Sequence, residues 1–266
     1  MSELTKRILF GIPAAALVLL ITWFGGTSFE VLMGILAGFT LWEVHRIVTS
    51  AGSPDYFILS ILLGFTFWIF PLLPESIVLA LSSALLLVTI WAIIDKKTPV
   101  SARWLSTLFT GIYAPLGFFM IVQIRNLGLE PEGFWLTLTL FFMIWGNDVF
   151  AYFGGKTFGK RPLAPLISPK KTIEGFLFGF LGAAAGYIIV YVLADPFPLT
   201  LWHLPAAVVL ISIFGPLGDI AASKLKRLAN VKDSSSLLPG HGGLFDRFDS
   251  MILSAPFIFF YFYFLI

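Results

Sequence analysis

Runs of about 20 apolar residues recur along this chain, each long enough at 1.5 Å per residue to cross the ~30 Å hydrocarbon core of a bilayer. Nine are predicted, over residues 8–24, 29–48, 56–73, 76–94, 104–124, 134–153, 175–194, 204–222 and 248–266. Backbone amides find no water in that layer, so each run must satisfy them internally as a helix. The expected fold is an all-α polytopic membrane protein. Composition agrees, since 58% of the residues are hydrophobic and only 12% charged, half the roughly 25% of a soluble protein. The first run is too long for a signal-peptide core and has no small-residue cleavage site after it, so it reads as a span. With no cysteine, disulfides, thiolate-bound zinc, iron–sulfur clusters and thiol nucleophiles are excluded.

Nine spans put the N-terminus and the even-numbered loops on one side. That side carries 16 of the 17 Lys and Arg residues, leaving only Arg125 on the other. By the positive-inside rule the N-terminus is cytoplasmic and the C-terminus outside. A tight turn is expected at Pro71–Pro74, between the third and fourth spans. Residues 1–133 form an N-terminal membrane half of about five spans. Residues 134–266 form a second half with two long basic cytoplasmic loops, at about 154–174 and 223–247, where chemistry is to be sought. Gly-x-x-x-Gly spacings (Gly34 and Gly38, Gly175 and Gly179, Gly182 and Gly186) read as close helix packing. Trp23, Trp104 and Trp135 read as interface anchors.

Ionisable groups inside spans cost ~2.5–3.5 kcal/mol each. Glu43 reads as an interfacial anchor neutralised by Arg46 as readily as a functional acid, and for Asp148 the two readings are even. Asp219 is stronger. It follows Gly215-Pro216-Leu217-Gly218, where a proline and two glycines predict a helix break, and a carboxylate at a break reads as a site. If the helix resumes beyond it, Asp219, Ser223 and Lys226 or Arg227 share one face.

The stretch from Ser223 to Asp249 holds five cations (Lys224, Lys226, Arg227, Lys232 and Arg247) and three aspartates (Asp233, Asp246 and Asp249). A polybasic lipid anchor would need neither the aspartates nor the Pro239-Gly240-His241-Gly242-Gly243 turn. The glycines there permit positive φ and close backbone approach to a phosphate. Asp246 and Asp249 at i and i+3 suit one hard cation. His241 is open between phosphate contact, carboxylate orientation and a turn-stabilising role. In the other loop a P-loop pattern fits badly; Thr172 is expected to open a helix, with Ser168, Lys170 and Lys171 as anion donors at its positive end.

These residues carry a resemblance. Ser223-x-Leu225-Lys226-Arg227, Lys232-Asp233 and Leu238-Pro239-x-His241-Gly242-Gly243-Leu244-x-Asp246-Arg247-Phe248-Asp249 resemble the signature of the CDP-diacylglycerol synthases (phosphatidate cytidylyltransferases). Asp148, Ala151-Tyr152 and the stretch Ser168-Pro169 through Gly175 resemble a second region of that family. The resemblance implies Mg²⁺-dependent conversion of CTP and phosphatidate to CDP-diacylglycerol and pyrophosphate. The setting it implies is a multi-pass protein of the inner membrane with its active site facing the cytoplasm. The implied metal ligands are Asp219, Asp246 and Asp249, with Asp148 or Asp233. The implied catalytic groups are Asp219, Asp246, Lys226, Arg227 and His241. Substrate contacts are expected from Ser168, Lys170, Lys171, Thr172, Ser223, Lys224, Lys232, Gly242, Gly243 and Arg247. A second cation and a homodimer are compatible with this pattern, and nothing in it points to nucleic acid. Two rivals stand beside it. One is a CTP-dependent lipid-alcohol kinase like the polyprenol and phytol kinases. The other is a lipid or anion transporter, which would also use intramembrane acids.

Overall fold

A computed structural model describes residues 3–69, 99–238, 240 and 242–266. Its helices are α1 (Glu3–Phe24), α2 (Gly26–Ser50), α3 (Phe57–Ile69), α4 (Pro99–Arg125), α5 (Glu132–Phe158), α6 (Ile173–Leu193), α7 (Leu204–Leu228) and α8 (Phe245–Tyr263), with a 3₁₀ turn Leu201–His203 leading into α7. Each overlaps a predicted apolar run. The run at 76–94 and the turn at Pro71–Pro74 lie outside the described residues. Among the described residues, five helical stretches are long and apolar enough to cross a membrane: Gly26–Ser50, Ala102–Arg125, Glu132–Phe158, Ile173–Leu193 and Leu201–Leu228. Gly11–Phe24 and Phe57–Ile69 are apolar but shorter. The outer faces expose Leu20, Val31, Ile58, Leu181, Val192 and Phe260, large side chains that suit lipid and not water. An all-α membrane protein is what this architecture supports.

The interior is built by one stripe from each helix. Met33 and Val44 of α2, Phe118 and Ile121 of α4, Leu140 and Met143 of α5, Tyr187 of α6, Ile211 of α7, and Ile258 and Phe262 of α8 belong to one buried cluster. In α5 and α6 the contact is made through glycine. A side chain at Gly186 or Gly182 would strike the backbone of Phe142 or Gly146, and one at Gly175 would fall 2.6 Å from the carbonyl oxygen of Ala151. Close backbone approach is therefore the role of Gly175, Gly182 and Gly186, as expected, while Gly179 makes room for the Asn147 side chain. Gly34 and Gly38 differ. Gly38 has open space where a side chain would go, and Gly34 meets only the Trp68 ring, so this pair makes no close helix crossing among the described residues.

Two further expectations are corrected. Residues 215–218 do not break the helix, for α7 runs unbroken through Pro216. The glycine beside it serves contact: a side chain at Gly218 would collide with the backbone of Asp249 and lie 3.1 Å from Leu253 Cβ. α8 thus packs against the residues expected to open, which keeps the turn helical at the loss of one amide. The loop at 154–174 is also more ordered than a loop. It holds an antiparallel hairpin of β1 (Pro162–Ala164) and β2 (Ser168–Thr172). Glu174 ties that hairpin to α6, its carboxylate accepting from the amides of Lys160 (3.0 Å) and Arg161 (3.2 Å) and from Arg161 Nε (2.9 Å).

Arg125, the lone cation assigned to the far side, is buried with 3% of its surface exposed. It donates to the Thr22 carbonyl at 2.8 Å and to Glu130 at 2.6 Å, which joins the end of α4 to the end of α1.

Candidate active site

Three helices each bring one aspartate to a common cavity: Asp148 from α5, Asp219 from α7 and Asp249 from α8. The cavity has a volume of about 1130 Å³. Asp148 and Asp249 both lie close enough to Asp219 to interact with its charge. Asp219 is half-exposed in the cavity; its Oδ2 receives Lys171 Nζ at 2.5 Å and its Oδ1 accepts from Ser223 Oγ at 3.2 Å. Asp219, the one acid of α7, is thus paired from the hairpin, by a strand that reaches across from the end of α5.

Lys171 gets there because of how α6 begins. Thr172 is its N-cap, and its hydroxyl accepts from the Gly175 amide at 3.1 Å, satisfying one of the orphan donors of the first turn. This is the helix start expected from the sequence. A side chain on Gly155 would come within 3.0 Å of the same hydroxyl, so the end of β2 packs closely against α5 as well as opening α6. Thr172→Val keeps the shape and loses the acceptor. It is expected to cost ~1 kcal/mol and lower the unfolding midpoint in detergent by about 2–4 °C, which differential scanning would read.

Asp246, in the first turn of α8 and ahead of its apolar part, has a different environment. Lys226 pairs with its Oδ1, while Oδ2 accepts from the Ser234 amide (2.8 Å), Ser234 Oγ (2.9 Å) and the Gly243 amide (3.1 Å). Burial pushes this carboxyl up, but the hydrogen bonds from Lys226, Ser234 and Gly243 and the Lys226 charge outweigh it and hold it below its ordinary range. Asp246 therefore organises a loop and a lysine, and both its oxygens are already engaged. The turn closes through a bridge between Leu238 and Gly242, with the Leu238 amide donating to the Gly242 carbonyl at 2.9 Å. Gly240 and Gly242 take the positive φ expected of them, +77° and +78°. The Gly243 amide, expected to face a phosphate, instead donates to Asp246.

Of the residues singled out from the sequence, Asp148, Lys170, Lys171, Thr172, Asp219, Lys226, Asp233, Asp246, Arg247 and Asp249 line the cavity. Ser223 reaches it only through Asp219. Arg227 is exposed on α7 and donates to the Val231 carbonyl at 2.9 Å, because its place on the helix turns it a full 100° from Lys226. Lys224 and Lys232 are exposed, and Ser168 is half-buried in β2 without lining the cavity. His241 lies outside the described residues. One residue not singled out belongs here, and Glu43, weighed from the sequence without a decision, finds its partners. Asn147, nearly buried, lines the cavity and donates to Ser212 Oγ at 3.2 Å. Glu43 is not neutralised by Arg46, whose guanidinium lies over the Trp42 ring at 4.9 Å; it is buried against the loop that carries Asp246. A buried acid in a span was the available signal for Glu43.

The donor set can be tested for a hard divalent ion. Among the described residues, no three carboxylates or histidines converge on one coordination sphere. Magnesium rarely asks for that, since it usually takes one or two carboxylates and completes its octahedron with substrate phosphates and water. Asp219 and its neighbours Asp148 and Asp249 supply oxygen donors of that kind, so the site fits Mg²⁺.

The cavity is also lined by apolar or small residues: Gly11, Ala14, Ala15 and Val18 of α1, Leu36 of α2, and Phe141 and Trp145 of α5. Lysines, aspartates and apolar side chains lining one cavity, within a bundle of apolar helices, define an all-α membrane protein with an amphiphilic pocket. The particular family follows from comparison. The chain belongs to the cytidylyltransferase family, whose sequence model matches residues 5–265. It is 34% identical to the phosphatidate cytidylyltransferase of Bacillus subtilis, over 98% of both chains. It is 33% identical to that of Brucella abortus, over 97% of this chain and 93% of the other. With that of Staphylococcus haemolyticus it shares 40% identity over 56% of this chain and 55% of the other.

Proposed function

We propose that this chain is a phosphatidate cytidylyltransferase, converting CTP and phosphatidate to CDP-diacylglycerol and pyrophosphate. The observation that carries the reading is the single cavity in which lysines and aspartates meet the apolar wall of α1. A lipid phosphate has both parts, a tail for Ala14, Ala15 and Val18 and a dianionic head for the charged end.

The phosphate oxygen of phosphatidate attacks the α-phosphorus of CTP. A new P–O–P bond forms to the lipid as the bond to the β-phosphate breaks, and pyrophosphate leaves with that electron pair. A phosphate monoester with a second pKa of ~6 is already ionised near pH 7, so the protein need supply no nucleophile and no strong base. Its work is to hold two polyanions together and in line. Lys226, fixed by Asp246, and Lys171, fixed by Asp219, present ammonium groups to the cavity, with Lys170 and Arg247 at its wall. Asp219, with Asp148 and Asp249, would hold Mg²⁺, which would supply charge neutralisation to the phosphates. The clustering of cations in the cytoplasmic loops supports an active site on the cytoplasmic face of the inner membrane, where CTP is made available.

Purified protein in mixed micelles with CTP, phosphatidate and Mg²⁺ is expected to release pyrophosphate and a CDP-lipid in a ratio of one. Release of CDP from CTP with a lipid-alcohol acceptor, and no pyrophosphate, would replace this reading by a lipid kinase. Chelation by EDTA is expected to lower the rate to background, with excess Mg²⁺ restoring it.

A further inference from the structure

Glu43 is fully buried and receives four hydrogen bonds from a segment about 200 residues further along the chain. Its Oε1 accepts from Ser235 Oγ at 2.5 Å and the Leu244 amide at 3.0 Å. Its Oε2 accepts from Ser234 Oγ at 2.9 Å and the Phe245 amide at 2.6 Å. None of the ion pairs among the described residues includes it. Among the described residues its partners are therefore oriented hydrogen-bond donors.

Two of those donors are amides at the start of α8. Leu244 is the N-cap position of that helix and caps it with no side chain of its own. The first amides of a helix lack internal partners, and the positive end of its dipole favours an anion. Glu43 supplies the missing cap from another helix. Of the other two donors, Ser234 reaches the catalytic cluster. Ser234 Oγ stands 2.9 Å from both Glu43 Oε2 and Asp246 Oδ2. One hydroxyl hydrogen is thus shared between two carboxylates, and Asp246 in turn holds Lys226. Gly243 closes the arrangement, for a side chain there would fall 2.6 Å from Glu43 Oε2 and collide with Ser234 Oγ.

We propose that Glu43 is a positioning residue for the transfer reaction, fixing the 234–245 turn and the start of α8, and through them the places of Lys226, Asp246 and Asp249. This rests on the reading of the cavity as the site of cytidylyl transfer. Glu43 touches the loop and not the substrates. The rest of α8 is anchored independently by Ile252, Ile258 and Phe262 in the core, so loss of Glu43 loosens the first turn and leaves the helix in place.

Glu43→Gln tests this. The amide is isosteric but turns an NH₂ toward donors that need an acceptor. Hydrogen exchange at Leu244–Asp246 is expected to rise by about tenfold or more, with α7 and the later turns of α8 unchanged. Turnover is expected to fall about 100-fold, the scale of a misplacement of about 1 Å at a reacting centre. Glu43→Asp, which keeps the charge, is expected to recover part of both. Ser234→Ala with Ser235→Ala removes the donors from the other side and carries the test if Glu43→Gln does not fold. Wild-type exchange and turnover in the variant overturn the proposal. So does a uniform rise in exchange across α2, α7 and α8, which marks a merely structural role. If wild-type protein transfers no cytidylyl group, the functional reading fails instead, and wild-type exchange at Leu244–Asp246 distinguishes the two.

Discussion

Asp219→Asn is expected to reduce turnover by about 10³-fold or more while the protein still elutes as a folded species in detergent. Asparagine keeps the shape of the side chain and its hydrogen bond from Ser223, so α7 has no reason to move. What is lost is charge at the point where it does most. Lys171 loses its partner, and the Mg²⁺ proposed for this site would lose one of its carboxylates. Removing one preorganised electrostatic contact from an active site commonly costs 10²–10³ in rate. Here a single change disturbs both a lysine and a proposed metal ligand. Asp246→Asn provides the contrast. It is expected to be as inactive, but with raised hydrogen exchange over 234–245, because Asp246 holds three donors of that loop as well as Lys226. Turnover of Asp219→Asn within tenfold of wild type would remove Asp219 from the mechanism.

Gly182→Val is expected to have the largest effect on stability. A side chain at Gly182 would strike the Gly146 carbonyl of α5 and lie 2.7 Å from Phe150 Cβ. Overpacking a core typically costs 1–3 kcal/mol where side chains can shift. Here the obstacle is the backbone of a neighbouring helix, so the cost is expected to exceed ~3 kcal/mol. That corresponds to a fall of about 10 °C in unfolding midpoint, or to loss of extractable protein. Activity falls with it, because α5 carries Asp148 and α6 opens directly after Lys171. Gly38→Ala, where the space is open, is expected to leave the midpoint within about 2 °C. An equal response of the two variants would refute the assignment of the α5–α6 contact to glycine.

The helices were legible in the sequence because the bilayer removes the alternatives. An apolar run of sufficient length has one way to satisfy its amides, and tertiary context does not compete. The Thr172 cap was legible for a similar reason, since its acceptor and donor are three residues apart. The hairpin was not. Ser168-Pro169-Lys170-Lys171-Thr172 has no apolar alternation, and what orders it is Glu174 reaching back to Lys160 and Arg161. The break assigned to Pro216 was misplaced because local rules weigh the proline and the glycines but not α8, which packs onto Gly218. At the site, residue type identified Asp148, Asp219, Asp249, Lys171 and Lys226 as cavity residues. It did not separate Asp246 from them, whose oxygens are taken by Lys226, Ser234 and Gly243. Nor did it find the partner of Glu43, which lies two hundred residues away and is joined to it only by the fold.

That separation has a bearing on how the protein is made. Glu43 enters the growing chain long before Ser234 or Phe245 is synthesised, and a carboxylate in an apolar helix without donors is costly. Until the start of α8 arrives, α2 carries an uncompensated acid that favours withdrawal toward the membrane surface. Contacts of such sequence distance form late in folding. Closure of the charged cavity is therefore coupled to synthesis of the start of α8, and a chain stopped before residue 244 leaves the Glu43 carboxylate in α2 without its two amide donors.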